Sequence, residues 1–330
     1  MALVRLWNSA GASDSGFNAV AHIAEKKVFV AGDEDGCIHF FSDSGSKVQS
    51  MGISDDEITS ICPGANETIF VSAGEIVYQV DPRNSVDPTR SFKIGREEIN
   101  HISINENLTR LATADDDGRI RVADVSKPEG EPKIKAFRAK HENLATAVEW
   151  TTEQILHSAS ADQSIRTWRV DQQKCVKTLD VSPYKNEIRE DSSETKVNVS
   201  PPLVHTISIL RNSKPEFVLA GCENGSIISN KLDAGKLSSN KTLTQNFKGS
   251  HNFGIGKICN MSLNDRWLVV SGGNDNAVKF WTAEAEERTL KLRLDKSTSL
   301  STKINGMVLA SKERVIVANG QNKLSELILQ

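Results

Sequence analysis

The stretch Ile155–Val170, ILHSASADQSIRTWRV, opens with two apolar residues and a run of small ones. A polar knot follows at Ala161-Asp162-Gln163-Ser164. Strict alternation comes next, with Ile165 and Thr167 on one side and Arg166 and Trp168 on the other. This pattern spells a strand, a tight turn and a second strand. The turn residues tolerate unusual backbone angles or bond to their own backbone. One hairpin cannot bury an apolar face alone, so this one requires neighbours, and the chain supplies them by repetition. Equivalents are VFVAGDEDGCIHFF at 28–41, RLATADDDGRIRVAD at 110–124, FVLAGCENGSIISNKL at 217–232, WLVVSGGNDNAVKFW at 267–281 and RVIVANGQNKLSELIL at 314–329. A seventh, IFVSAGEIVYQVD at 69–81, has a shorter turn.

The apolar residues that follow the turns are Ile38, Val77, Ile120, Ile165, Ile227, Val278 and Leu324, at steps of 39, 43, 45, 62, 51 and 46 residues. Repeats of roughly 40–45 residues with four strands each mark propeller blades. Flanking strands are visible too. An apolar segment precedes every hairpin and a charged, alternating one follows most, among them Thr242–Phe247 after the fifth. The last hairpin ends with the chain and lacks a fourth strand, while Leu3–Trp7 (LVRLW) stands as an orphan strand at the start. The expected architecture is therefore all-β: a single seven-bladed β-propeller over residues 1–330, with the N-terminal strand closing the last blade. Closure removes exposed sheet edges, which otherwise invite aggregation. Asp180–Pro202 is polar and proline-bounded and accounts for the longest step as an inserted inter-blade loop. Ser192 and Ser193, set between Asp191 and Glu194, are candidate phosphorylation sites within it.

The composition bounds the function. Forty basic residues against 43 acidic give a net charge of −3, so there is no electrostatic case for direct nucleic-acid binding. No run of 18 apolar residues suggests a membrane helix, and the N-terminus lacks the apolar core of a secretory signal. Five cysteines are scattered singly, without a C-x-x-C, which reads as free thiols in a reducing, intracellular setting, cytoplasmic or nuclear. Seven histidines lie far apart, with no H-E-x-x-H and no ligand spacing, so neither a metal nor a cofactor is expected. Gly254-Ile255-Gly256-Lys257 does not complete a phosphate loop, because a strand rather than a helix follows. No pairing of carboxylates argues for acid–base catalysis, so the chain reads as a non-enzyme.

The repeating unit resembles the WD repeat. In one blade His141, Ser158, Asp162 and Trp168 stand where that family places a hydrogen-bonded quartet; in another the match is His251, Ser271, Asp275 and Trp281. A third blade keeps Thr113 and Asp117 but has Ala123 in place of tryptophan. The logic of the quartet is plain: the turn aspartate accepts from histidine and from turn amides, and the hydroxyl links histidine to the indole N–H. The Trp-Asp dipeptide that names the family occurs nowhere, since Trp168 precedes Arg169 and Trp281 precedes Thr282. Within that family, Glu97–Asn100, LATADDD at 111–117, Phe247-Lys248-Gly249, SGGND at 271–275 and the short turn Ser72–Glu75 are similar to the WD repeat-containing protein 53 group. The resemblance implies a non-catalytic scaffold, with a substrate-receptor role on cullin-4 ubiquitin ligases through their adaptor, damage-specific DNA-binding protein 1. It implies a monomeric propeller working within a complex and binding protein partners.

Two surface motifs bear on that role. Adaptor docking in such receptors uses a blade ending in Trp-Asp-x-Arg, and Val80-Asp81-Pro82-Arg83 comes nearest, with Asp81 and Arg83 as candidate contacts. The plain alternative is a solvated arginine in a proline turn. The acidic turns holding Asp33, Glu34, Asp115 and Asp116 are expected on one rim, where they would recruit a basic peptide tail. Asp35 and Asp117 are expected to fill the structural turn positions, and the alternative for the rest is a solvated turn.

Overall fold

The computed structural model describes residues 2–7, 15–83, 87–127, 129–185, 200–211, 216–320 and 323–329. Seven antiparallel sheets follow one another along the chain. Blade one comprises Phe17–Ile23, Val28–Asp33, Cys37–Ser42 and Lys47–Gly52. Blade four, built on the opening stretch, comprises Ala145–Thr152, Ile155–Ser160, Ser164–Arg169 and Lys174–Asp180. The first strands of successive blades touch in sequence around the ring, and the first strand of blade seven, Ile304–Ser311, returns to that of blade one. Closure is made by chain ends. Ala2–Leu6 pairs with Lys323–Leu329 from Ala2 opposite Leu329 to Leu6 opposite Ser325, and the Trp7 N–H continues the ladder to the Leu324 carbonyl at 2.9 Å.

The apolar core is divided into seven wedges, each between two adjacent blades. Ile38 of blade one meets Ile58 and Val71 of blade two; Ile227 of blade five meets Trp267 and Val269 of blade six; Trp7, Ile316 and Leu324 of blade seven meet Phe29 and Phe41 of blade one. Blades approach so closely at the inner end that some second strands require glycine. A Cβ on Gly32 would fall 2.2 Å from Ile58, and one on Gly272 would fall 2.8 Å from Ile304. The last wedge is sealed by Arg314, whose guanidinium lies over the rings of Phe29 (5.1 Å) and Trp7 (5.6 Å). Arg314 Nε donates to Glu326 at 2.6 Å, and the same carboxylate accepts from Trp7 Nε1 at 3.2 Å. Arg314 also pairs with Asp43 in blade one. The latch therefore joins the N-terminal strand, two strands of blade seven and a turn of blade one.

Because strands alternate in direction, the second-to-third turns and the blade-to-blade connections share one end of the ring, here the upper face. First-to-second and third-to-fourth connections share the lower face. Blade five departs from the expected single outer strand. Lys236–Leu237 pairs with the end of the third strand, a short turn at Lys241–Leu243 intervenes, and only Thr244–Phe247 resumes pairing, from Asn230 to Ile227. The detour serves blade four. His157 donates from Nε2 to the Gly235 carbonyl at 3.0 Å; Thr167 donates to His157 Nδ1 at 3.1 Å and accepts from the Leu237 N–H at 3.2 Å. Between blades four and five, the Tyr184 carbonyl accepts from Asn224 and Asn246. Residues 186–199, with Ser192 and Ser193, lie outside the described residues.

Candidate interaction faces and the anchors that shape them

In blades one, three, four and six the upper turn is set by a residue at positive φ, Gly36 (75°), Gly118 (77°), Gln163 (62°) or Asn276 (60°), which bends the chain back within two residues. In blade four the fixing network runs through the whole sheet. His141 Nδ1 donates to Asp162 Oδ2 at 2.9 Å, Ser158 donates to His141 Nε2 at 2.6 Å, and Trp168 Nε1 donates to Ser158 Oγ at 2.7 Å. Asp162 also accepts the N–H groups of Glu142 (3.1 Å) and Ser164 (3.0 Å). Burial works against a charged Asp162, but the bonds from His141, Ser164 and Glu142 outweigh it and hold the carboxyl far below the usual range. Burial also lowers His141, with Asp162 only partly opposing, so the ring is neutral at physiological pH. Blade six repeats the geometry: His251 to Asp275 at 2.8 Å, Ser271 to His251 at 2.7 Å, Trp281 to Ser271 at 2.9 Å. These eight residues bond to one another inside the blades and form no outward surface.

Blade three holds its turn differently. Arg121, buried on the third strand, forms ion pairs with both Asp115 and Asp117, the latter at 2.7 Å. The Thr113 hydroxyl is buried without a partner, as is one oxygen of Asp115, among the described residues. Thr113 is therefore not part of a network, because Ala123 supplies no indole and no histidine arrives from the preceding loop. In blade one the third strand again supplies the partner: His39 bonds Asp33 through Nε2 (2.8 Å) and Ser50 through Nδ1 (2.9 Å). Three residues beyond the positive-φ residue, four blades thus carry a basic side chain: His39, Arg121, Arg166 and Lys279. The last two donate to carbonyls of the preceding loop, at Lys140 and Ser250, both at 2.6 Å.

This corrects the expected rim. Asp33 and Asp115 are fully buried. Each is the last residue of a second strand, on the same face as Phe29 and Ala31 or Leu111 and Thr113, so the period-two alternation carries it inward. Asp33, not Asp35, anchors the blade-one turn, accepting the N–H groups of Asp35 (3.1 Å) and Cys37 (2.8 Å), and Asp35 is exposed. Glu34 and Asp116 do stand exposed on the upper face. Asp116 accepts from Asn100 at 2.7 Å, and the Gly16 N–H points at Glu34 at 3.4 Å. Asp56, Glu57 and Glu98 share this side of the ring. Burial, then Glu57 and Asp116, push the Glu98 carboxyl up.

On the lower face, Asp81 and Arg83 sit in the turn that follows the third strand of blade two. Arg83 Nε and Nη2 bond the Asp81 carboxylate at 2.8 and 2.6 Å, and the Arg83 N–H caps it at 2.9 Å. The Arg83 side chain is 58% exposed, against 18% for Asp81. The hydrogen bond from Arg83 lowers the Asp81 pKa against a small burial effect. Here aspartate shapes the turn and the guanidinium edge faces outward.

A family model described as WD domain, G-beta repeat, matches residues 241–282, the span that contains the whole second quartet, His251 to Trp281. The molecule is a seven-bladed β-propeller that carries a WD repeat in this span. It is similar to the WD repeat-containing protein 53 homolog of Dictyostelium discoideum, with 22% identity over 88% of this chain and 78% of that protein. It is also similar to an uncharacterised WD repeat-containing protein of Schizosaccharomyces pombe, 28% identical over 46% of this chain and 26% of that protein. Propellers of this kind are typically non-catalytic scaffolds that bind protein partners.

The propeller's axial channel opens on the upper face through a mouth of about 340 Å³, lined in part by Glu57, Glu98, Asn100, His205, Lys257 and Lys303. Below it lies about 320 Å³ more, lined in part by His101, Glu149, Arg211, Lys257 and Cys259. At the rim His205 pairs with Glu223 at 2.6 Å. Burial pushes the Cys259 thiol up to about 12, so it is not a nucleophile. Among the described residues no group of three or more His, Cys, Asp or Glu gathers to hold a metal ion. Sequence reading meets Lys257 only in the incomplete phosphate loop Gly254–Lys257 and His101 only as a first-strand histidine, and does not reach Glu149. Their shared setting, the first strand of each blade, was the available signal.

Proposed function

We propose that the propeller is the substrate receptor of a cullin-4 ubiquitin ligase, presenting its lower face to the adaptor and its upper face to cargo. The observation that carries this reading is the Asp81–Arg83 turn: an exposed guanidinium held in one orientation by a bidentate carboxylate, next to the Lys26–Glu67 pair. An arginine restrained in this way loses little further entropy on docking, and such side chains are common hot spots, each worth ~2 kcal/mol or more. The similarity to the WD repeat-containing protein 53 homolog supports the same reading. The location that goes with it is cytoplasmic or nuclear.

The test is quantitative affinity capture of the adaptor by the full chain, by Arg83→Ala and by Arg83→Glu. Recovery should fall at least about tenfold for the glutamate variant. Unchanged recovery by both variants removes Arg83 from the interface, and no recovery by the parent chain removes the receptor role. A second reading, that the upper face takes a basic tail, is favoured by Glu34, Asp116, Asp56, Glu57 and Glu98 standing on the same side of the ring. It requires binding that weakens with salt and with Asp116→Lys.

A further inference from the structure

Lys257, on the first strand of blade six, lines both the mouth and the channel beneath it. Among the described residues no hydrogen bond or ion pair is made by its ammonium, whose pKa is lowered by burial with no carboxylate offsetting the effect. His101 of blade three lines the same space. Its Nδ1 accepts the Val148 N–H at 3.4 Å, which places the ring proton on Nε2. Burial and then the Lys257 charge bring His101 down to about 3, so it is a neutral donor across the ordinary pH range. The channel's other charges answer one another. Burial raises Glu149 to about 7, while Arg211 and a 3.2 Å bond from Ser103 oppose that rise. What remains is a half-buried ammonium and an N–H donor that line the channel and bond to none of the acceptors around it among the described residues. An ammonium partly withdrawn from water without a partner gains from a charged acceptor, and the groups that supply one are oxyanions.

We propose that the upper channel is a carboxylate seat: an aspartate or glutamate side chain of a protein partner enters through the mouth and pairs with Lys257, with His101 as second donor. This deepens the cargo-face part of the proposed function and rests on it. The collar selects the context of that carboxylate. Glu57 and Glu98 line the mouth, with Asp56 and Asp116 beside them. They repel a bare anion or an all-acidic segment and attract basic residues on either side of the inserted one. The occupant is thus an extended segment carrying one carboxylate between basic side chains.

Calorimetric titration of the intact chain at pH 7 and constant ionic strength tests this with three probes: acetyl-Gly-Lys-Glu-Lys-Gly-amide, its Gln counterpart, and inorganic phosphate. The Glu peptide should bind at least about tenfold more tightly than the Gln peptide, as a charge-assisted pair requires, and Lys257→Met should erase that difference. Lys257→Met should also match or exceed the parent in thermal midpoint, because it removes a half-buried cation without a partner, so lost binding cannot be ascribed to unfolding. Equal binding of the two peptides, no binding of either, or a preference that survives Lys257→Met each overturns the seat. Phosphate binding as tightly as the Glu peptide also overturns it, assigning the site to a free anion. Adaptor capture separates the two proposals: capture by a parent chain that binds neither peptide sinks the seat alone, whereas no capture by the parent chain sinks the receptor role.

Discussion

In blade four the turn carboxylate of Asp162 is held by a histidine from the preceding loop, and Ser158 and Trp168 extend the bonds to the third strand. In blade three the equivalent carboxylate, Asp117, is held by Arg121 from the third strand itself, and the chain of bonds goes no further. The turns have the same shape and the same positive-φ residue position, Gln163 and Gly118. The difference lies in what each anchor reaches. The histidine network ties the inter-blade connection to the sheet, whereas the arginine network closes on the hairpin and leaves Thr113 without a partner. A blade thus tolerates loss of the motif's histidine and tryptophan when a basic residue three positions past the turn neutralises the aspartate. That is how a propeller can keep its ring while its repeats diverge.

The contrast breaks most visibly at the large side chains. Trp168→Ala empties a fully buried indole site and should cost about 3–5 kcal/mol in denaturant unfolding. In blade three the aligned residue is already Ala123, buried and closely packed, so Ala123→Trp should destabilise by overpacking rather than repair the motif. Arg121→Met should cost ~3 kcal/mol, since it strands two carboxylates that share one buried cation. Adding Asp115→Asn and Asp117→Asn should recover much of that loss. A finer comparison pairs two hydroxyls. Ser158→Ala leaves an indole N–H and an imidazole nitrogen unmatched and should cost about 1–3 kcal/mol, whereas Thr113→Val removes an orphan hydroxyl and should lie within ~0.5 kcal/mol of zero. Equal losses at the two positions would mean that the blade-three hydroxyl has a partner after all.

The smallest effect is the response to acid, and its sign differs between the regions. His157 is brought down to about 4 by burial, with its bond to Gly235 opposing. The unfolded chain, with histidine near 6.5, binds more protons between these values. This staple's contribution is therefore present above pH ~6.5 and is lost as pH falls toward 4, at no more than ~1.4 kcal/mol per pH unit. Asp115 runs the other way. Burial and then the Asp117 carboxyl raise its pKa, so its contribution is present in acid and is lost as pH rises through that raised value. His157→Gln should flatten the acid limb of a stability–pH curve and Asp115→Asn the neutral limb. Identical curves for both variants would remove the distinction.

The hairpins, the blade spacing and the closing strand were legible because they rest on alternation and turn chemistry, which act over a few residues. The acid triplets depart from expectation at Asp33, Asp35 and Asp115. Asp33 and Asp115 look like turn residues in composition, but they end strands whose buried face begins at Phe29 and Leu111, and counting by twos would have placed them inside. Their partners His39 and Arg121 recur at a fixed offset from the turn, a signal that the sequence carries. The detour in blade five was not legible: it rests on Gly235 accepting from His157 and the Leu237 N–H donating to Thr167, contacts that span two blades. The channel groups were hidden for a related reason, since seven separate strands contribute to a single axial space.

Side-by-side affinity capture from one lysate, with the parent chain, Arg83→Glu and Lys257→Met, tests the division of labour between the two faces most directly. The expected outcome is that Arg83→Glu loses the adaptor and keeps the cargo recovered by the parent, while Lys257→Met keeps the adaptor and loses that cargo. Loss of both by either folded variant, or of neither by both, would contradict a propeller that joins two partners through opposite ends of one ring.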